Sequence, residues 1–294
     1  MNDLQKELKN FKPTKEFFIG IDSDGCAFDT MELKHKECFC PNTIKYWNLQ
    51  KISKYARETW DFVNLYSKNR GSNRFLALVK VMELLAERKE VLSRNVEIPD
   101  LSELKTWIDI ETKLGNPALI EYAKKVSNPV IATALDWTLA INSDVSDMVH
   151  GIPPFPFMKE SLKIISEKAD VLVISQTPVD ALQREWDENG ISEYVKIIAG
   201  QEYGTKKEHL QYAALGKYPA DKILMIGDAP GDMKAANENG VSFYPINPGF
   251  EEKSWEDFYL ESSTKFFNGK YSGEYEKSLT SYFNSLLPEN PSWN

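Results

Sequence analysis

The apolar run FFIGI, residues 17–21, leads straight into two aspartates, Asp22 and Asp24, separated by one serine and followed by Gly25. Far along the chain a second apolar run, KILMIGD, ends in Asp228, with Asp232 four residues on. A third, VLVIS, ends in Ser175, and Lys206 and Lys207 open a helix-like segment in GTKKEHL. If Asp22, Asp24 and Asp228 meet, like charges about 4 Å apart repel by several kcal/mol at the dielectric of a partly buried site. A bound proton relieves this by raising one pKa. A magnesium ion relieves it further, because it takes carboxylate, carbonyl and water oxygens and accepts phosphate as another ligand. Such a constellation suits phosphoryl transfer, which needs an in-line nucleophile, positive charge on the equatorial oxygens and an acid for the leaving group. A carboxylate can be that nucleophile, through an aspartyl-phosphate. Lys206 and the Ser175 hydroxyl can hold phosphoryl oxygens, and the helix start after residue 205 adds backbone N–H groups.

Each residue alone has a plainer use. D-x-D-G is often a turn, and GDxxxD can be a strand end with a helix cap, since aspartate caps helices well. A serine after a strand is usually a turn residue. Paired lysines near a helix start are usually solvated and slightly opposed by the helix dipole. The chemical reading rests on order and placement: each residue type falls at the end or crossover of an α/β unit, on the sheet edge where ligands of parallel sheets collect.

The elements that must position them read as follows. Residues 1–15 predict a short helix and a linker ending at Pro13, and residues 16–22 a buried strand. From residue 32 to 150 no strand pattern occurs; helical periodicity covers roughly 41–68, 72–90, 101–113, 117–126 and 130–149, with Pro99, Pro117 and Pro129 near the breaks. HGIPPFPF, residues 150–157, is a stiff non-helical return. Helices then alternate with the strands VLVIS, VKIIAG, KILMIGD and VSFYPI, the helices stopping at Gly190, Gly216 and Gly240. The expected fold is therefore α/β: a Rossmann-like parallel sheet with helices on both faces and right-handed crossovers, plus an all-α domain inserted after the first strand. Residues 1–31 and 151–294 form the core, with 251–294 a C-terminal helical extension, and 32–150 the helical domain. The aromatic C-terminal segment, with Trp255, Phe258, Phe266 and Phe267, is expected to pack on the core, a homodimer contact being its alternative use; the tail PENPSWN is expected to fray.

At 294 residues, 42% hydrophobic and 27% charged, the chain has the composition of a globular protein with one large domain or a domain plus insertion. Its net charge of −9 gives a nucleic-acid partner no electrostatic support. No apolar run approaches the length of a membrane helix, and the polar start MNDLQKELKNFKP is not expected to act as a signal peptide. Three cysteines, Cys26, Cys38 and Cys40, do not make a disulfide framework, and a reducing cytoplasm is the expected setting. His35, Cys38 and Cys40 fall one ligand short of a tetrahedral zinc site and are expected to pack.

The motifs DSDG (Asp22, Asp24), the serine of VISQTP (Ser175), the lysine of GTKKEHL (Lys206) and GDAPGD (Asp228, Asp232) occur in the order found in the haloacid dehalogenase-like (HAD) hydrolase superfamily, which residues 16–31 and about 151–250 resemble. The resemblance implies that Asp22 attacks phosphorus, and that Asp24 protonates the leaving oxygen and then activates water. It implies that Asp22, Asp228 and the backbone carbonyl of Asp24 hold Mg2+, with Asp232 binding the ion through water or orienting the lysine. It favours Lys206 over Lys207 for the phosphate, and makes residues 32–150 a helical cap, which physically would exclude water and select substrates. The implied function is a magnesium-dependent phosphohydrolase cleaving a small phosphate monoester, its partner a small phosphorylated metabolite. A phosphomutase or a phosphonate hydrolase on the same core is the alternative; a phosphonate-cleaving relative uses a cap lysine as a Schiff base, for which Lys45, Lys51 and Lys54 are candidates. Dehalogenation is disfavoured because those relatives lack an acid at the position of Asp24. A non-catalytic module, binding phosphate or a protein partner or accepting phosphate on Asp22 as receivers do, is the reading from another class. Within the insertion, SKNRGSNRF places Lys68, Arg70 and Arg74 around Gly71: either a substrate clamp built on Arg70 and Arg74, since arginine suits phosphate and carboxylate, or a solvated turn with an N-cap at Ser72 or Asn73.

Overall fold

The computed structural model describes residues 2–293, which divide into two compact units. One runs up to Met31 and resumes over Gly151–Leu287; the other comprises Glu32–His150 and the chain from Pro288 onward.

The first unit is built on five parallel strands, β1 (Phe17–Ile21), β2 (Ala169–Ile174), β3 (Ile197–Ala199), β4 (Ile223–Gly227) and β5 (Ser242–Pro245), in the order β3-β2-β1-β4-β5. These are the strands the sequence predicts. Period-two alternation divides their side chains between two cores. Ile19, Val171, Val173, Leu224 and Ile226 join one, with Leu162 and Trp186 from the Met158–Ser166 and Val179–Glu188 helices and Trp255, Phe258 and Phe266 from the C-terminal segment. Phe18, Leu172, Ile174 and Met225 join the other, with Leu210, Ala236 and Phe283 from the Lys206–Ala213, Pro230–Asn239 and Glu274–Leu286 helices. Strands buried on both faces need no polar alternation, which is why they read as continuous apolar runs. The aromatic C-terminal segment packs on this unit, as expected; Phe267, for example, meets Phe17 edge-on at 5.0 Å.

The register places the chemistry. Ile21 pairs with Val173 on one side and Ile226 on the other, so the residues that follow, Asp22, Ile174–Ser175 and Gly227–Asp228, emerge together at the carboxyl edge. The return segment is anchored on the same unit: Phe155 N–H donates to Ala27 C=O at 3.0 Å, and Asn189 Nδ2 donates to Ile152 C=O at 2.9 Å.

The second unit is all helical, with Ser53–Asn64, Arg74–Glu87, Ser102–Ile110 and Pro129–Met148 as its longer helices. The helix expected over 41–68 is broken: Cys40–Tyr46 ends before Asn48, whose φ of 56° is incompatible with a continuing helix, and the chain restarts at Ser53. Trp60, Trp107, Trp137 and Phe75 are buried in its core with Cys38 and Cys40. Trp60 Nε1–H donates to His35 Nδ1 at 3.2 Å, so His35 and the two cysteines pack. The tail corrects its expectation. Trp293 lies 5.4 Å from Phe62 and 4.3 Å from the Arg88 guanidinium, and Lys68 N–H donates to Pro288 C=O at 3.3 Å. A large aromatic ring with a cationic partner offsets the ordering entropy that would otherwise leave a terminus frayed.

Candidate active site

Just past β1 the chain turns sharply: Gly25 takes φ +74°, and the N–H groups of Ala27 and Phe28 donate to Ser23 C=O at 2.8 and 3.2 Å. This turn fixes Asp22 and Asp24 in different surroundings. Asp22 is buried, with Oδ1 accepting from Ser23 N–H at 2.8 Å and Oδ2 lying 2.6 Å from Lys206 Nζ. The same Nζ lies 2.6 Å from Asp232 Oδ1. Lys206 reaches this position because a capping box, Thr205 with Glu208, fixes the start of its helix at that residue. Lys207, one residue on, turns to Glu238 at 2.9 Å. Asp232 reaches the strand end because residue 227 is glycine; a Cβ there would lie 2.4 Å from the Asp232 carboxyl carbon.

Asp22, Asp228 and Asp232, all buried, each offer a carboxylate oxygen within 4.8 Å of the other two. Burial is the main force on Asp22: it pushes the carboxyl up to about 6, against the attraction of Lys206 and with the repulsion of Asp232. Asp232 is raised for the same reason, and the two carboxylates hold the Lys206 ammonium above its ordinary range despite its own burial. Three carboxylates against one ammonium leave two negative charges when all are ionised. An all-oxygen donor set with that residual charge fits a hard divalent cation.

Asp24 stands outside this cluster through its side chain. Its Oδ1 accepts from Thr30 Oγ1 at 2.5 Å and its Oδ2 from Thr177 Oγ1 at 2.6 Å. Two hydroxyl donors hold the carboxylate in one rotamer. Ser175 is buried at the end of β2, its Oγ accepting from Thr177 N–H at 3.2 Å. Arg70 and Arg74 lie in the helical unit: Arg70 is 3% exposed and donates to Leu65 C=O at 2.9 Å, closing the end of the Ser53–Asn64 helix. Asn73, one of the two cap candidates, is the N-cap of the next helix.

Sequence reasoning missed Thr30, Thr177, Glu185 and Trp186. Trp186 Nε1–H donates to Ser23 Oγ at 3.0 Å, and that hydroxyl donates to Glu185 Oε2 at 2.9 Å, tying the loop between the two aspartates to the Val179–Glu188 helix. Thr177, two residues past Ser175 in SQTP, could have been found from its motif; nothing in the sequence marks Glu185.

The model of the family described as haloacid dehalogenase-like hydrolase matches residues 89–246. The chain belongs to this family. The matched stretch includes Ser175, Lys206, Asp228 and Asp232; Asp22 and Asp24 precede it and join it through the pairing of β1 with β2 and β4. Similar solved structures include a hydrolase of the haloacid dehalogenase-like family from Streptococcus pneumoniae, 15% identical, with 92% of this chain and 100% of that one covered at a TM-score of 0.46. Another is the beta-phosphoglucomutase of Clostridium difficile, 14% identical over 85% of this chain and 96% of that one, TM-score 0.49. A haloacid dehalogenase-like family hydrolase from Xanthomonas campestris is 11% identical over 86% and 97%, TM-score 0.39. At these identities and scores the likenesses say nothing of what this chain acts on. No curated protein matches the chain. No helix among the described residues is long and apolar enough to cross a membrane.

Proposed function

We propose that the chain is a magnesium-dependent phosphohydrolase that cleaves a small phosphate monoester through an aspartyl-phosphate on Asp22. The observation that carries the reading is the Asp22 carboxylate, buried at the end of the central strand, 2.6 Å from Lys206 and within a three-carboxylate cluster, with a second, differently held carboxylate two residues away.

When bound, Mg2+ would be held by Asp22, Asp228 and Asp232 with the Asp24 carbonyl, and would supply positive charge to the phosphoryl oxygens. Lys206 supplies a further positive charge and favours the ionised form of Asp22 against its burial. An Asp22 carboxylate oxygen forms a bond to phosphorus as the bond to the leaving oxygen breaks, and Asp24, which enters this step as the protonated acid, gives that oxygen its proton. Asp24, now a carboxylate, takes a proton from the water that attacks phosphorus; the bond to Asp22 breaks and phosphate leaves. Thr30 and Thr177 keep Asp24 aimed in both half-reactions, and Ser175 donates to a phosphoryl oxygen.

The Schiff-base variant finds less support. Lys45, Lys51 and Lys54 are all exposed, with Lys54 paired to Glu58 at 3.9 Å, whereas an amine nucleophile is activated by desolvation or by a cationic neighbour. The test is hydrolysis of an aryl phosphate with added Mg2+. Asp22→Asn is expected to abolish turnover with its circular dichroism unchanged; undiminished hydrolysis by that variant removes Asp22 from the nucleophile role. Free phosphate as the product separates a phosphatase from a mutase.

A further inference from the structure

Arg74, the first residue of the Arg74–Glu87 helix, has an all-neutral shell. Its Nη1 donates to Thr138 Oγ1 at 3.0 Å and to Asn142 Oδ1 at 2.7 Å, and the guanidinium lies 5.0 Å over the Phe39 ring. Thr138 passes its own hydrogen to Asn116 Oδ1 at 2.8 Å. Burial pushes Arg74 down to about 10, and no carboxylate opposes the shift. Arg88, in the same unit, instead sits between Glu58 and Glu90. A half-buried cation without a counter-ion loses part of its hydration uncompensated, and its place in a first helical turn adds an unfavourable interaction with the helix dipole. Of the 44 acidic residues in the sequence, none among those described is paired with Arg74.

The remaining hydrogens define what would complete the shell. Only Nη1 is engaged. Nε and Nη2, the edge that meets two oxygens of a carboxylate or phosphate side by side, donate to no protein acceptor among the described residues and are not sealed from solvent. Asn142 is exposed, and with Oδ1 taken it has its Nδ2 hydrogens to give. The local array is thus donor-rich, cationic and backed by an aromatic face.

We propose that Arg74 and Asn142 form an oxyanion-binding site of the helical unit, which takes the carboxylate or phosphate group of a small molecule. The site lies within the helical unit and does not depend on the chemistry proposed for Asp22.

The full chain labelled with 15N-arginine, held in EDTA so that neither metal nor turnover enters the readout, is titrated with inorganic phosphate and, separately, malonate. The Nε–Hε resonance of Arg74, assigned by its loss in Arg74→Lys, is expected to shift saturably with at least one probe, the two arms telling tetrahedral from planar oxyanions. Arg70 and Arg88 are expected to stay in place, and chloride at equal ionic strength to have no such effect. Asn142→Asp puts a carboxylate where an oxygen now lies 2.7 Å from Nη1; it is expected to weaken the response at least tenfold and to raise the Tm. A shift reproduced by chloride, or shared equally by Arg70 and Arg88, overturns the proposal. So does an Asn142→Asp variant that melts lower and keeps the full response.

Discussion

Lys206→Met removes the cation that lies between Asp22 and Asp232. Nζ lies 2.6 Å from both carboxylates, and Asp22 and Asp232 are almost wholly buried, so water cannot replace it well. Removing one partner of a buried ion pair costs about 3–5 kcal/mol. For a domain of this size that lowers the Tm by about 10 °C. The loss depends on pH. In the metal-free protein Asp22 ionises at about 6 rather than near its usual 3.8, so the fold holds the Asp22 proton more tightly than the unfolded chain does. Stability contributed by that proton is present below 3.8 and lost as pH rises through about 6. Lys206 is the largest influence opposing the rise; without it the carboxyl titrates higher and the loss extends further up the scale. The variant's deficit in EDTA is therefore larger at pH 8 than at pH 5, where Asp22 is already mostly protonated. Added Mg2+ restores part of the Tm at pH 8. Thermal melts of both proteins at the two pH values, with EDTA or Mg2+, check this. A variant that melts with the wild type at pH 8 in EDTA, or with the same deficit at both pH values, refutes the electrostatic account.

Two more outcomes follow from neighbouring groups. His209 is fully buried, and burial, aided by Lys206, pushes it down to about 4. The unfolded chain takes up that proton near 6.5 and the native one only near 4, so stability is lost as pH falls through that window, by up to about 3 kcal/mol; His209→Leu is expected to flatten the fall in urea midpoint between pH 7 and 4.5. Asp24→Asn is expected to lower kcat by about 10²–10⁴-fold, the usual worth of a positioned acid–base group. Its Mg2+ affinity, measured by calorimetry, should change little, because the side chain lies with Thr30 and Thr177 outside the carboxylate cluster.

Much of this was legible before folding because the information is local. A parallel strand covered on both faces must be apolar throughout, so FFIGI and KILMIGD announce themselves, and aspartates directly after them must sit at one edge. The order of the motifs then suffices to gather Asp22, Ser175, Lys206 and Asp228. Chain order does not encode which atoms touch. Lys206 and Lys207 are identical to a sequence reading; the capping box at Thr205 and Glu208 turns one to Asp22 and leaves the other with Glu238. Arg70 and Arg74 share one basic turn, yet one is spent on a helix end and the other keeps an open edge. Trp293 reads as a fraying terminus until Phe62 and Arg88, more than two hundred residues earlier, supply its partners. Period and residue type determine elements and their edges, because those follow from solvation of one short segment. Pairing between groups distant in sequence depends on where whole elements pack, and that only the tertiary structure decides.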